Sequence, residues 1–174
     1  MLSAVAALAI AVTVAGCGGG DDASSDAPAD GGPAPKKVST EGPFFGLCGS
    51  VTDDEVKQAF NVPQLPVVTR NSVGCVWEAS GSFGPSVSFS WYRGSPIGRE
   101  SAGSGLIGRP PDTIEIDGHP GFKGSAGEQL CEIGVQFGDS FMHWSVTYAD
   151  FPPTADACEV AKKLAELTVS RTPK

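Results

Sequence analysis

Apolar and polar residues alternate along the middle of the chain in a pattern typical of strands with one buried face. The longest alternating run is Ser86–Trp91, in which serines separate the apolar side chains. Val73–Glu78 alternates in the same way, and Ile114 and Ile116 indicate a further short strand that ends at a turn over Asp117–Gly121. The pattern therefore predicts an antiparallel sheet.

The clearest hairpin spans Leu130–Tyr148, around the dipeptide Gly138-Asp139, which suits a two-residue turn of type II′. Counting outward from this turn predicts three cross-strand pairs on one apolar face: Val135 with Met142, Ile133 with Trp144, and Cys131 with Val146. Because the turn and the apolar pattern agree on one register, that register is strongly specified.

Two helices are predicted to flank the sheet. The first begins at a capping box, in which Thr52 and Glu55 satisfy each other's backbone amides, and it ends near Asn61. The second runs from about Asp156 to Ser170 and carries an apolar stripe at helical spacing. The order of a helix, an antiparallel meander and a helix predicts an α+β fold, with an N-terminal and a C-terminal helix packed on a twisted sheet.

The first residues predict export and lipid anchoring. Leu2–Gly16 is uncharged and apolar, too short to span a bilayer but suited to a signal peptide, although no Lys or Arg precedes it. It ends in Val14–Cys17, which looks like a bacterial lipobox. We predict a signal peptide (1–16), a diacylated Cys17 with a flexible tether (17–43), and one α+β domain (44–174). The alternative is an ordinary secretory signal with a chance cysteine.

Composition narrows the choice of partners. The chain has 174 residues, a net charge of −8 and a pI of about 4.6. Such an acidic chain is a poor candidate for neutralising nucleic-acid phosphates, so no nucleic acid is expected as a partner. Membrane contact is predicted through the lipid on Cys17, which places the protein on the extracytoplasmic face of the cell membrane.

Beyond Cys17 the chain has four cysteines, Cys48, Cys75, Cys131 and Cys158. They allow three pairings. We predict the bridges Cys48–Cys75 and Cys131–Cys158, because each ties a residue beside a predicted helix to a predicted strand, in a compartment that permits oxidation. A zinc site would need closely spaced cysteines or a nearby His, and neither is present, so no metal is expected.

A set of segments between about Gly42 and Ser170 carries a family signal, and its most specific part is the string Ser88–Glu100. The set also includes Gly42–Phe45, Asn71–Trp77, Ile116–His119, Leu130–Glu132 and Cys158–Lys162. Together these segments resemble an actinobacterial lipoprotein family built on a domain of unknown function. The resemblance implies a cell-envelope lipoprotein and implies no activity.

Catalytic chemistry has few candidates in this chain. His119 is predicted in a tight turn near Asp117. His143 is predicted on the polar face of the hairpin opposite Gly134, either as an exposed strand residue or beside room for a ligand. No Ser lies in a nucleophile-elbow pattern. The glycine-rich run Gly103–Gly108 lacks a preceding strand and a following helix, so no cofactor is expected. We assign no catalytic residue and keep an envelope hydrolase using His119 or His143 as the alternative function.

The segment Tyr92–Arg109 is predicted to be an exposed loop and the best candidate for ligand binding. It holds three of the five arginines of the chain and has Glu100 as its single acid. Guanidinium groups beside an aromatic ring can bind phosphate, carboxylate or sugar, although a solvated loop whose arginines balance nearby acids would look the same. The candidate binding residues are Tyr92, Arg93, Arg99, Arg109 and His143.

These expectations combine into a predicted function without an assigned ligand. We predict a lipid-anchored, non-catalytic binding or accessory module of the cell envelope. Its partner would be an anionic lipid, a glycan or an envelope protein.

Overall fold

The computed structural model describes residues 42–62, 64–65, 67–79 and 84–173, all within one compact unit of the chain, Lys37–Lys174. The predicted signal peptide (1–16), Cys17 and all but the last two residues of the predicted tether (17–43) lie outside the described residues. Within the described ranges, no helix is both long enough and apolar enough to cross a bilayer.

The described chain forms three α-helices, a short 3-10 turn and seven strands. A 3-10 turn at Leu47–Ser50 precedes α1 (Asp53–Phe60), β1 (Val67–Asn71), β2 (Gly74–Glu78), β3 (Ser86–Tyr92), α2 (Ile97–Leu106), β4 (Asp112–Ile116), β5 (His119–Ala126), β6 (Leu130–Phe137), β7 (Ser140–Thr147) and α3 (Ala157–Arg171). The predicted α+β class with flanking helices is confirmed.

The seven strands form one antiparallel sheet in the order β1-β2-β3-β7-β6-β5-β4. Two meanders therefore meet at the β3–β7 pair, because the chain leaves β3 through α2 and resumes at the far edge. The β6–β7 register is the predicted one: Val135 lies opposite Met142, Ile133 opposite Trp144, and Cys131 opposite Val146. Gly138 has a φ of 58°, as the first residue of a type II′ turn requires.

One side of the sheet, here called the inner face, packs against α3, with α1 beside α3. Its centre is aromatic: the Trp77 and Trp144 rings stack at 5.7 Å, and both are fully buried. Each indole N–H is satisfied, by Asp53 at 2.8 Å and by Thr168 at 3.0 Å. The polar ends of these large rings are therefore paired as well as buried.

Both predicted disulfides, Cys48–Cys75 and Cys131–Cys158, are present. Each joins a strand of the inner face to a segment packed on it. They tie the 3-10 turn to β2 and the first turn of α3 to β6.

The capping box at the start of α1 is also confirmed. Thr52 Oγ1 accepts from the Glu55 amide at 3.3 Å, and the Thr52 amide donates to Glu55 Oε2 at 2.9 Å. Arg171, at the end of α3, donates to both Glu55 oxygens. The hydrogen bonds from Arg171 and Thr52 lower the pKa of Glu55 to about 2. A single carboxylate thus caps α1 and joins it to α3.

Three elements differ from the sequence expectations. The predicted Tyr92–Arg109 loop contains α2, whose glycines gave no helix signal and which is held by contacts to the sheet. β1 and β5 were not predicted, since β5 carries Pro120, Gly121 and Gly124 and shows no clean alternation. His119 is the first residue of β5 rather than part of a tight turn, because the turn is completed at residues 117–118.

Candidate functional site

The outer face of the sheet, opposite α3, carries polar side chains near its centre. Strand alternation puts Glu132 and Gly134 on the outer face of β6 and His143 on the outer face of β7. His143 lies directly opposite Gly134, as predicted, so Glu132 and His143 are diagonal neighbours. Because α2 packs on β5 and β6, it covers this region.

Glu132 is the centre of a buried polar cluster and is only 4% exposed. Its Oε2 lies 3.2 Å from His143 Nε2 and accepts from Arg109 Nη1 at 2.9 Å. Its Oε1 accepts from the Ser104 hydroxyl, which also lies 2.8 Å from the Arg109 carbonyl oxygen. Ser104 and Arg109 lie at and just beyond the C-terminal end of α2, so the cluster fastens α2 to the sheet.

Two glycines shape the space around this cluster. A Cβ on Gly124 would lie 3.0 Å from Glu132 Oε1, so the missing side chain makes room for the carboxylate. A Cβ on Gly134 would lie 2.5 Å from a ring carbon of Phe122. The room predicted beside His143 is therefore filled by Phe122 and does not admit a ligand. The alternative of an exposed His143 is also wrong, since this residue is 7% exposed.

The charge of Glu132 is balanced within the cluster. Burial favours its neutral form, but hydrogen bonds from His143 and Ser104, together with the positive charge of Arg109, outweigh burial and lower its pKa. An ionised carboxylate with partners on both oxygens satisfies the requirement that buried charges be paired. The arrangement is that of a structural clamp whose groups already have partners.

The cluster contains a Ser, a His and an acid, but they do not form a nucleophile–base pair. Ser104 and His143 each contact Glu132, and no hydrogen bond joins Ser104 to His143 in the described part of the chain. Nucleophilic catalysis requires the base to contact the hydroxyl that it activates. The geometry therefore gives no support to a hydrolase using His143.

His119 lies on the inner face of the sheet, whereas α2 and the Glu132 cluster lie on the outer face. Its ring stacks on Phe137 at 4.0 Å and lines an open groove of about 920 Å³ together with Phe44 and Val169. No hydrogen bond from a hydroxyl group reaches His119 among the described contacts. Across the described ranges, no group of three or more His, Cys, Asp or Glu residues is arranged to hold a metal ion.

Arg93 and Arg99 line a second, separate depression of about 660 Å³, together with Trp91, Tyr92 and Ser72. The Arg93 guanidinium carbon lies 4.2 Å above the Trp91 ring, and its Nη2 donates to the Ser72 carbonyl at 3.3 Å. Arg99 Nη2 donates to the Ser95 hydroxyl at 3.0 Å. No acidic residue lines this depression, and neither arginine forms an ion pair within the described residues.

Tyr92 forms one wall of the depression and is held by the sheet. Its ring stacks on Phe141 at 4.4 Å with an angle of 8° between the planes. Burial, and after it the nearby charge of Glu100, raises the pKa of Tyr92. The hydroxyl is therefore a neutral hydrogen-bonding group at physiological pH.

The structure thus divides the five predicted binding residues. Tyr92, Arg93 and Arg99 share the open depression, here called the arginine depression, whereas Arg109 and His143 meet at Glu132. Glu132 and Ser104 were not predicted as site residues from the sequence. The predicted hairpin already made Glu132 a diagonal neighbour of His143, so register alone could have found that pair. The contact with Ser104 depends on α2, which the sequence did not predict.

The chain is similar in sequence to a family of proteins of unknown function. Residues 12–171 match the model of the family described as "Protein of unknown function (DUF3558)". The chain is 41% identical to "Putative lipoprotein LprB" of Mycobacterium bovis, and 40% identical to the protein of that name in Mycobacterium tuberculosis, each over 98% of this chain and 95% of the relative. The Mycobacterium leprae protein of that name is 43% identical over 75% of this chain and 72% of the relative. No solved structure matches.

Proposed function

Because the chain belongs to the DUF3558 family, with mycobacterial relatives named as lipoproteins, we propose that it is a lipid-anchored, non-catalytic binding module of the cell envelope. We propose further that the arginine depression is its binding site. The single observation that carries this proposal is that Arg93 and Arg99 face one open depression without a carboxylate partner in the described residues.

The chemistry of the depression favours an anionic group on the ligand. Guanidinium groups bind phosphate and carboxylate with two parallel hydrogen bonds, a geometry that Lys cannot reproduce. The Trp91 ring under Arg93 fixes the position of that guanidinium before a ligand arrives. The ligand class is therefore the phosphate or carboxylate group of an envelope lipid or acidic glycan.

The overall charge of −8 does not prevent this binding. At physiological salt a charge is screened over about 8 Å, so a ligand in the depression is influenced mainly by the groups that line it. Two arginines and no acid line the depression, and the single charge of Glu100, which reaches Tyr92, offsets the two cations only in part.

The anchor belongs to the same proposal. Acylation of Cys17 would hold the domain on the extracytoplasmic face of the membrane, and the two disulfides fit an oxidising compartment. We expect Cys17→Ala to move the protein from the membrane fraction to the soluble exported fraction, as measured by fractionation and immunoblotting. Unchanged membrane association after washing would contradict acylation of Cys17.

The binding site is tested with the double variant Arg93→Gln/Arg99→Gln in the unlipidated Cys17→Ala chain. Equilibrium binding of phosphatidylglycerol vesicles and of a soluble acidic glycan, measured by titration without a wash step, is compared with that of the parent. We expect the binding constant for the ligand that the parent binds to fall about 30-fold, since each arginine near an anionic surface contributes about 1 kcal/mol. Arg→Lys at both positions should recover only part of the loss.

A matched control removes the same charge elsewhere. Lys162→Gln/Lys163→Gln on exposed positions of α3 also removes two positive charges, and neither residue lines the arginine depression. This control should retain the parent's binding. Equal losses in both double variants would indicate a nonspecific charge effect, and no measurable equilibrium binding of either ligand by the parent would refute the proposal.

A further inference from the structure

One end of the sheet is where the described chain begins, and we call it the tether end. The Gly42 amide donates to Ser140 Oγ at 3.2 Å, next to the β6–β7 turn, and the Phe44 ring lies 5.4 Å from Trp91 at the end of β3. The β1–β2 turn, with Val73, is at the same end, because Trp91 N donates to the Val73 carbonyl at 2.7 Å. Whatever precedes residue 42 therefore reaches the domain at this end.

Exposed apolar side chains are concentrated at the tether end. Among the described residues six large apolar side chains are exposed, and three of them are here: Phe44 at 61%, Leu47 at 63% and Val73 at 50%. These three line one shallow depression of about 290 Å³ beside Arg93. Clustered exposed apolar groups of this kind mark interaction surfaces more often than isolated ones do.

The other exposed apolar residues lie away from this end. Leu106 and Ile107 follow Ser104, whose hydroxyl reaches Glu132 near the start of β6, and Phe151 follows β7. They line neither the arginine depression nor the depression beside Phe44. The chain therefore offers matched controls of the same chemistry at the opposite end.

Charge within the two depressions at the tether end complements an anionic surface, and Asp139 in the β6–β7 turn and Asp117 in the groove beside Phe44 lie at the same end but outside both depressions. The two neighbouring depressions share Arg93, one of them also holds Arg99, and neither is lined by an acidic residue. Basic side chains next to exposed apolar ones suit the interface of an anionic bilayer, where the apolar groups enter the headgroup layer and the cations meet the phosphates.

We propose that the tether-end patch, which comprises Phe44, Leu47, Val73, Arg93 and Arg99, rests on the membrane that holds the lipid anchor. Phe44, Leu47 and Val73 contact the interfacial layer, and the two arginines bind phosphates of anionic phospholipids. This inference rests on the proposed function, because it names the bilayer as the source of the anionic group.

The anchor makes such a weak contact effective. Two arginines at an anionic surface alone give only marginal binding. The 24 residues between Cys17 and Gly42 span at most about 85 Å even when fully extended, so the patch remains close to the bilayer at a high effective concentration. The unlipidated chain should therefore wash off membranes while the anchored chain docks.

The orientation is tested on the lipidated full-length protein in vesicles of phosphatidylcholine with and without phosphatidylglycerol. Phe44→Trp and Phe151→Trp each add one fluorescent residue, at the tether end and at the opposite end. Brominated lipids quench only indoles that reach the bilayer. We expect at least twofold stronger quenching of Phe44→Trp than of Phe151→Trp, dependent on phosphatidylglycerol, with the parent chain as background.

Two further variants test whether the exposed apolar side chains of the patch cause the quenching of Phe44→Trp. Leu47→Ser/Val73→Ser in the Phe44→Trp background should reduce the quenching to the level of Phe151→Trp, whereas Leu106→Ser/Ile107→Ser should leave it unchanged. Equal quenching of Phe44→Trp and Phe151→Trp would overturn the docking proposal.

The two proposals fail separately. If monomeric short-chain phosphatidylglycerol or a soluble acidic sugar binds through Arg93 and Arg99 but the quenching is equal, the proposed function stands and the membrane docking is wrong. If neither soluble probe binds and the quenching survives Arg93→Gln/Arg99→Gln, the anion site and its role in docking are both refuted.

Discussion

Arg109 and the pair Arg93/Arg99 come from one short segment of the chain but occupy different environments. Arg109 donates to Glu132, a carboxylate that is 4% exposed, and its own side chain is 23% exposed. Arg93 and Arg99 are exposed at the rim of a depression and contact a backbone carbonyl, a hydroxyl and the Trp91 ring, with no carboxylate partner among the described residues. The same residue type is therefore found in two environments within 17 residues.

A structural cation and a candidate ligand-binding cation differ in whether a buried carboxylate pairs with them. A buried charge must be paired, and removing one member leaves the other without compensation, so such pairs are costly to break. An exposed cation without a carboxylate contributes little to stability, and its interactions remain available to a ligand. We therefore expect changes at Arg109 and Glu132 to reduce stability, and changes at Arg93 and Arg99 to reduce binding.

The greatest loss of stability is expected when the buried Glu132 cluster is disrupted. Glu132→Gln keeps the shape of the side chain but removes the charge that Arg109 and His143 face. We expect a loss of about 3 kcal/mol in the free energy of unfolding, measured by denaturant titration. Amide hydrogen exchange should accelerate in α2 more than in α3, because the cluster fastens α2 to the sheet. A loss below about 0.5 kcal/mol would show that the cluster is not a clamp.

A smaller effect should appear on acidification. Because the pKa of Glu132 is lowered in the folded state, its contribution is fully present above the pKa of an unfolded Glu, about 4.3, and is lost as the pH falls through the lower folded value. The difference in unfolding free energy between the parent and Glu132→Gln should therefore be constant from about pH 5 to 7 and shrink below about pH 4. A difference that grows toward acid would contradict an ionised Glu132.

The smallest change in stability is expected for Arg93→Gln/Arg99→Gln. Exposed substitutions outside special features usually change the free energy of unfolding by less than about 0.5 kcal/mol. Thermal and denaturant unfolding of this double variant should match the parent, even where its binding is lost. A loss of about 2 kcal/mol or more in the free energy of unfolding, as when a buried ion pair is broken, would show that these arginines are structural, like Arg109.

The parts of the fold that the sequence predicted are those in which local signals agree. In the β6–β7 hairpin the turn dipeptide and the alternation specify one register, and at Thr52 the capping box marks the start of α1. The disulfide pairing followed from the same placement of helices and strands. By contrast α2, with three glycines, is helical because the sheet holds it, and single-sequence patterns carry no record of such contacts.

The candidate site was also predicted only in part, because its geometry depends on α2, which the sequence did not predict. The Tyr92–Arg109 segment was identified from its arginines, and three of its predicted residues do share one depression. Its division into a clamp and an open depression depends on Glu132, which lies 23 residues beyond Arg109 and meets it only when α2 folds back on β6. Composition identifies the charges, and only tertiary structure shows which of them are already paired.

Anion binding in the arginine depression is tested most directly by nuclear magnetic resonance, through the indole N–H signals of the three tryptophans. The indole N–H groups of Trp77 and Trp144 donate to Asp53 and Thr168, whereas that of Trp91, under Arg93, is buried without a partner among the described residues. The ¹⁵N-labelled Cys17→Ala chain is titrated with monomeric dihexanoylphosphatidylglycerol and, separately, with glucuronic acid. We predict saturable shifts at Trp91, Arg93 and Arg99 with at least one probe, and none at Trp77, Trp144 or His143. Shifts confined to His119 or His143, or no saturable shift with either probe, would contradict an anion site in the arginine depression.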